Sequence, residues 1–119
     1  MSDQRTTQVL QRFNQAFISH DPTLLEELVA EDCVLESAES ERYFGRDACL
    51  EFWSKMVADE RLSFEPEDMW VAGGRGVIRW RIHLDPGSEP IRGVNLMRVR
   101  NGLITETLAY VKVTGTDPV

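Results

Sequence analysis

Apolar residues recur every three or four positions in the first part of the chain, and later they alternate with polar ones. Val9, Leu10, Phe13, Ala16 and Phe17 form one stripe of an amphipathic helix over 3–19. Asp21-Pro22 then supplies a helix cap and a helix-starting proline, and Leu24, Leu25, Leu28 and Val29 predict a short second helix ending near 31–32. A short strand over 33–35 and a polar loop over 37–43 follow. Gly45-Arg46-Asp47 opens a third helix, capped at or near Asp47 and running to about Ala58, with Leu50, Phe52, Trp53 and Met56 on it. From there the period changes. Residues 62–71 read as a strand in which Pro66 limits pairing or marks a bulge. Ala72 to Gly76 is a turn, and 77–84 alternates Ile78, Trp80, Ile82 and Leu84 against Arg79, Arg81 and His83. Residues 85–88 (DPGS) make another turn.

The most informative stretch is 91–112, IRGVNLMRVRNGLITETLAYVK. Two strand-like runs meet at Asn101-Gly102, the dipeptide suited to the two positive φ angles of a type I′ hairpin. Ile91, Gly93, Asn95, Met97 and Val99 share one side of the first run. Strict alternation puts Ile104, Glu106, Leu108 and Tyr110 on one side of the second. Asn95 and Glu106 would then each stand among apolar neighbours on a pocket-facing surface. Helices first and an antiparallel meander afterwards predict an α+β fold whose sheet is covered by helices on one face. One domain is expected over 1–119, with its core at 5–113 and a tail at 115–119.

Composition narrows the partners. With 13 basic and 20 acidic residues the formal charge is −7, which speaks against non-specific nucleic-acid binding. The start, MSDQRTTQVLQRF, lacks the apolar run of a secretion signal, and no stretch approaches a membrane span, so a cytoplasmic location is expected. Cys33 and Cys49 belong to no metal or redox spacing and read as free, buried thiols. His20 and His83 make no metal site; His20 is expected in solvent and His83 on the outer sheet surface. No nucleophile elbow, phosphate loop or dinucleotide fingerprint is present, and no cofactor is expected.

Four segments, HDPTLLEELVAEDCVLES, YFGRDACLEFW, VIRWRIHL and RGVNLMRVRNGLITETLAYVK, in this order, resemble the nuclear transport factor two-like superfamily and its SnoaL-like group over most of 5–113. The resemblance implies a cystatin-like cone: a curved antiparallel sheet wrapped around the N-terminal helices, with an apolar pocket. It also implies frequent dimerisation through the outer sheet face. The superfamily includes isomerases, hydratases, epoxide hydrolases, polyketide cyclases and plain binding proteins, so fold alone leaves the activity open. Where ketosteroid isomerases of the group carry a base, a tyrosine and a protonated aspartic acid, the matching positions are Ser37, Phe13 and Asn95. None can do its counterpart's work, although Asn95 can donate a hydrogen bond to a developing oxyanion. The last aspartate of the limonene-epoxide-hydrolase set would fall at Ala109. SnoaL-like proteins often carry an aspartate at the position of Asn95 and a glutamate at that of Glu106; only the glutamate is kept.

The resulting expectation is a small cofactor-independent enzyme of isomerase, cyclase or dehydratase type acting on a hydrophobic molecule. Glu106 would be its acid/base and Asn95 its polarising donor, with Phe13, Phe17, Ser37, Trp53, Trp80, Met97 and Tyr110 against the ligand. An ion-paired or solvated Glu106 and a purely structural Asn95 are the alternatives at those positions. A lipophilic-ligand binder, or a dimeric interaction module with a filled pocket, are the alternatives for the whole. Arg79, Arg81, His83, Val94, Leu96 and Arg98 are expected on the outer face, in a homodimer contact.

Overall fold

The computed structural model describes residues 3–85, 87 and 89–113. Helix α1 spans Asp3–Ser19 and α2 spans Arg46–Ala58. The strands are β1 (Val29–Glu36), β2 (Arg42–Phe44), β3 (Ser63–Ala72), β4 (Arg75–His83), β5 (Ile91–Arg100) and β6 (Leu103–Val111). They form one curved, open, six-stranded sheet in the order β2-β1-β6-β5-β4-β3. The expected α+β class holds. The expected tail at 115–119 and two residues of the 85–88 turn, Pro86 and Ser88, lie outside the described residues.

The meander β3–β6 is antiparallel throughout, while β1 lies parallel to β6 and antiparallel to β2, which closes one edge. This parallel pairing corrects the second helix. Asp21 does cap, its carboxylate accepting from the Thr23 amide at 3.0 Å, but the helix ends as a single 3₁₀ turn over Pro22–Leu25. The Ile104 amide takes the Leu28 carbonyl at 2.6 Å, and β-branched Val29 pairs with Ile104 instead of continuing a helix. The polar loop is shorter than expected, because 42–44 pairs back onto β1. Helix α2 starts after Gly45, whose φ of 91° suits glycine, and Asp47 sits in the first turn rather than capping it.

Three register shifts shape the sheet, the first where β1 passes from Val29 opposite Ile104 to Val34 opposite Glu106. In β3 the register shifts between Pro66 and Asp68, as the proline predicted. In β5–β6 it shifts where Val99 pairs with Ile104 but Arg98 pairs with Glu106, so Thr105 is the extra residue. The hairpin turn is as expected, with φ of 54° at Asn101 and 76° at Gly102. The core lies between the inner sheet face and the two helices, with Leu10, Phe13, Leu25, Leu35, Ile78 and Ile104 fully buried. Among the described residues no helix is long and apolar enough to cross a membrane.

Candidate functional site

A cavity of about 110 Å³ opens between the inner sheet face and the two helices. Helix α1 contributes Phe13 and Phe17, and α2 contributes Phe52, Trp53 and Met56. The end of β1 and the turn after it contribute 35–39, and the sheet contributes Phe64, Trp80, Ile82, Asn95, Thr107 and Ala109. Its aromatic wall is continuous. Phe13 meets Trp53 edge-on with centroids 5.2 Å apart, Phe13 meets Phe17 at 5.0 Å, and Phe17 meets Phe64 at 5.0 Å.

One hydrogen bond organises the polar part. Trp80 and Gly93 are cross-strand partners, and the missing side chain at Gly93 leaves room for the indole. A Cβ at Gly93 would sit 2.7 Å from Trp80 ring carbons and against the Tyr110 carbonyl. So placed, Trp80 Nε1 donates to Asn95 Oδ1 at 3.1 Å. Indole N–H can only donate, so the carboxamide oxygen must face it and Nδ2 becomes the donor that remains. Thr107 is a diagonal neighbour of Asn95 on the inner face, since Asn95 pairs with Ala109 and Thr107 lies two residues away. Its Oγ1 is buried without a hydrogen-bond partner. At the mouth, Ser37 Oγ accepts from the Glu39 and Glu41 amides at 3.3 and 3.2 Å, which builds the β1–β2 turn and leaves its own proton to donate.

The Thr105 bulge overturns the expected placement of Glu106. Alternation holds on β5, but the extra residue turns β6 over beyond Ile104. Thr107 and Ala109 take the inner face, and Glu106, Leu108 and Tyr110 take the outer one. Glu106 has a side chain 43% exposed and stands 4.0 Å from Arg98 across the hairpin. Tyr110 is 50% exposed and is not among the walls of this cavity. Met97 is buried on the inner face as expected, yet it is not among the cavity walls. Phe13, Phe17, Ser37, Trp53, Trp80 and Asn95 do come together there. Thr107 escaped the sequence reading because the bulge has no local signature. Ile82 was legible, since it shares the alternating face of Trp80.

The carboxylates bordering the cavity, Glu36 and Glu39, belong to its mouth, and Glu36 is engaged by Arg42 Nε at 3.0 Å. Ala109 stands opposite Asn95, so no carboxylate occupies that inner position. Cys33 and Cys49 are buried and free, as expected, and burial pushes both thiols up. Among the described residues no group of histidine, cysteine and carboxylate side chains could hold a metal ion.

On the outer face, Arg79, Arg81, His83, Val94, Leu96 and Arg98 stand where expected, but their charges are matched within the chain. Glu67, the extra residue of the β3 bulge, receives Arg79 at 3.3 Å, Arg81 at 2.9 Å and Arg92 at 2.8 Å. The Arg92 guanidinium, with Arg81 beside it, holds the Glu67 carboxyl below the usual carboxylate range. His83 faces Glu65 at 3.4 Å. His20 is half-buried rather than free in solvent, its Nδ1 lying 2.9 Å from the Val57 carbonyl.

The SnoaL-like domain profile matches residues 10–107. Among solved structures, the chain is similar to an NTF2-like protein of unknown function from Mesorhizobium loti. The identity is 42%, the TM-score 0.89, and 93% of each chain is covered. It is also similar to a Kribbella flavida protein provisionally named a ketosteroid isomerase (20% identity, TM-score 0.83, covering 98% of this chain and 84% of that one). An LEH-like epoxide hydrolase of M. tuberculosis shares the fold at 17% identity and a TM-score of 0.76, covering 92% of this chain and 84% of that one. The last two likenesses establish architecture alone. No curated protein matches the sequence.

Proposed function

The chain belongs to the SnoaL-like domain family, and from that membership and the chemistry of its cavity we propose that it binds a small, largely apolar molecule through a single carbonyl oxygen. The observation that carries this reading is the Asn95 amide. Trp80 occupies its oxygen, so its N–H groups are left to donate into a cavity whose walls are mostly aromatic and aliphatic. A carbonyl placed there is polarised, because a fixed donor in a water-poor site needs no reorganisation when charge develops on the oxygen. Thr107, with its unpartnered hydroxyl, is the second polar group beside it.

The same polarisation is the first requirement of the isomerase, cyclase and dehydratase chemistries expected from the sequence. Proton transfer would also need a carrier at the ligand. Glu106 is on the opposite face of the sheet, whereas Glu36 and Glu39 border the mouth. Ligand capture with carbonyl polarisation is therefore the reading adopted, and turnover would depend on a mouth carboxylate rather than on Glu106.

Titration calorimetry with small aryl ketones and enones tests it. Wild type and Glu106→Gln should bind the same compounds equally well. Asn95→Leu should weaken binding about tenfold, as expected for a lost hydrogen bond in a desolvated site. Equal affinity in Asn95→Leu would overturn the proposal.

A further inference from the structure

The cavity is smaller than the roughly 300–1,000 Å³ that ordinary small-molecule sites occupy, but it is not isolated. A second hollow of about 490 Å³ runs along the outward face of α2, lined by apolar Tyr43, Ala48, Phe52, Met56 and Leu62 together with charged Glu51, Lys55 and Asp59. The two spaces share two walls, Phe52 and Met56. Helical periodicity explains why. Cys49, Trp53 and Val57 point into the core, Ala48, Glu51 and Lys55 lie on the groove side, and Phe52 and Met56, one turn apart, fall on the border.

We propose that Phe52 and Met56 form a movable partition between cavity and groove, and that the ligand is an elongated, uncharged molecule. Its carbonyl end would sit at Asn95 and its alkyl or aryl chain would leave over α2. This deepens the reading above and rests on it for the carbonyl anchor. The partition has the composition to move. Met56 is unbranched with three rotatable side-chain bonds, and both residues are only partly buried. Phe52 is held from outside by the Tyr43 ring at 4.8 Å, while the inner aromatic chain of Phe13, Phe17, Trp53 and Phe64 is complete without it. The walls also set the chemistry of the chain. Lys55, the cation among the lining residues, is matched by Glu51 at 3.3 Å, so it is not left for an acidic tail, and most of the lining is apolar. Joined, the two spaces reach the ordinary size of a ligand site.

A homologous series of phenyl alkyl ketones, from acetophenone to octanophenone, separates this inference from the one beneath it. Calorimetric affinity should rise roughly two- to fourfold per added methylene once the chain passes the partition. Ala48→Trp fills the groove without touching the cavity. It should abolish that gain and leave acetophenone affinity within about twofold of wild type; Ala48→Leu serves the same purpose if the tryptophan variant melts early. Affinity that is flat along the series, or a gain that survives both Ala48 variants, overturns the partition. Acetophenone binding that depends on Asn95 without any length effect would leave the cavity reading standing alone. A length effect abolished by Ala48→Trp but indifferent to Asn95 would leave the groove and remove the anchor. No binding by any member would end both.

Discussion

Trp80 Nε1 donates to Asn95 Oδ1 at 3.1 Å across neighbouring strands, and that contact decides which end of the Asn95 amide is free. It joins two side chains that the β4 and β5 alternation each send inward, and it depends on the absence of a side chain at Gly93 between them.

Gly93→Ala should therefore damage both stability and site. The new methyl meets the Trp80 ring on one side and the Tyr110 carbonyl on the other, and the carbonyl belongs to a paired strand that cannot step aside. A loss of about 1–3 kcal/mol is expected from overpacking of this kind, read by urea denaturation. Ketone affinity should fall as well, because the indole must tilt away from Asn95.

Asn95→Asp, which places a carboxyl beside the Trp80 indole in the cavity wall, should make stability depend on pH. Burial raises the folded-state pKa of the introduced acid above its unfolded value near 3.9. The penalty is absent while the acid is protonated in both states and grows as pH rises through the unfolded pKa. It is complete above the folded one, where each tenfold weakening of the acid by burial costs about 1.4 kcal/mol. Melting temperatures at pH 4 and pH 7.5 should show a gap from wild type that is small at the lower pH and wide at the higher.

Thr107→Val removes a hydroxyl that has no partner in the folded chain and keeps the shape. Its melting temperature should equal or exceed that of wild type, since a buried unsatisfied group costs about 1–3 kcal/mol. Carbonyl-ligand affinity should fall at the same time. Stability and binding moving in opposite directions would mark the hydroxyl as kept for a ligand.

Glu67→Gln tests the outer face. The wild-type carboxyl has a pKa lowered chiefly by Arg92, so its contribution is present above the unfolded pKa and is lost as pH falls through the lower folded one. The melting temperatures of variant and wild type should differ at pH 7 and converge below the ordinary carboxylate range. A gap of constant size across that range would mean that packing at the bulge, not charge, is what Glu67 contributes.

Much of the fold was legible because its signals are local. The stripe of Val9, Leu10, Phe13 and Phe17, the alternation around Trp80 and the two positive-φ residues at Asn101-Gly102 each depend on neighbours within a few positions. They were enough to place the helices that line the cavity and the strands that carry Trp80 and Asn95. Long-range pairing decided the rest. Val29 is compatible with a helix until Ile104 offers a parallel partner, and a long-range strand pairing outweighs a weak local propensity. Thr105 is one residue that β5 cannot match, and because strand side chains repeat every two positions, one unmatched residue exchanges the faces of all that follow. Glu106 thereby moved to the outside and Thr107 came in beside Asn95.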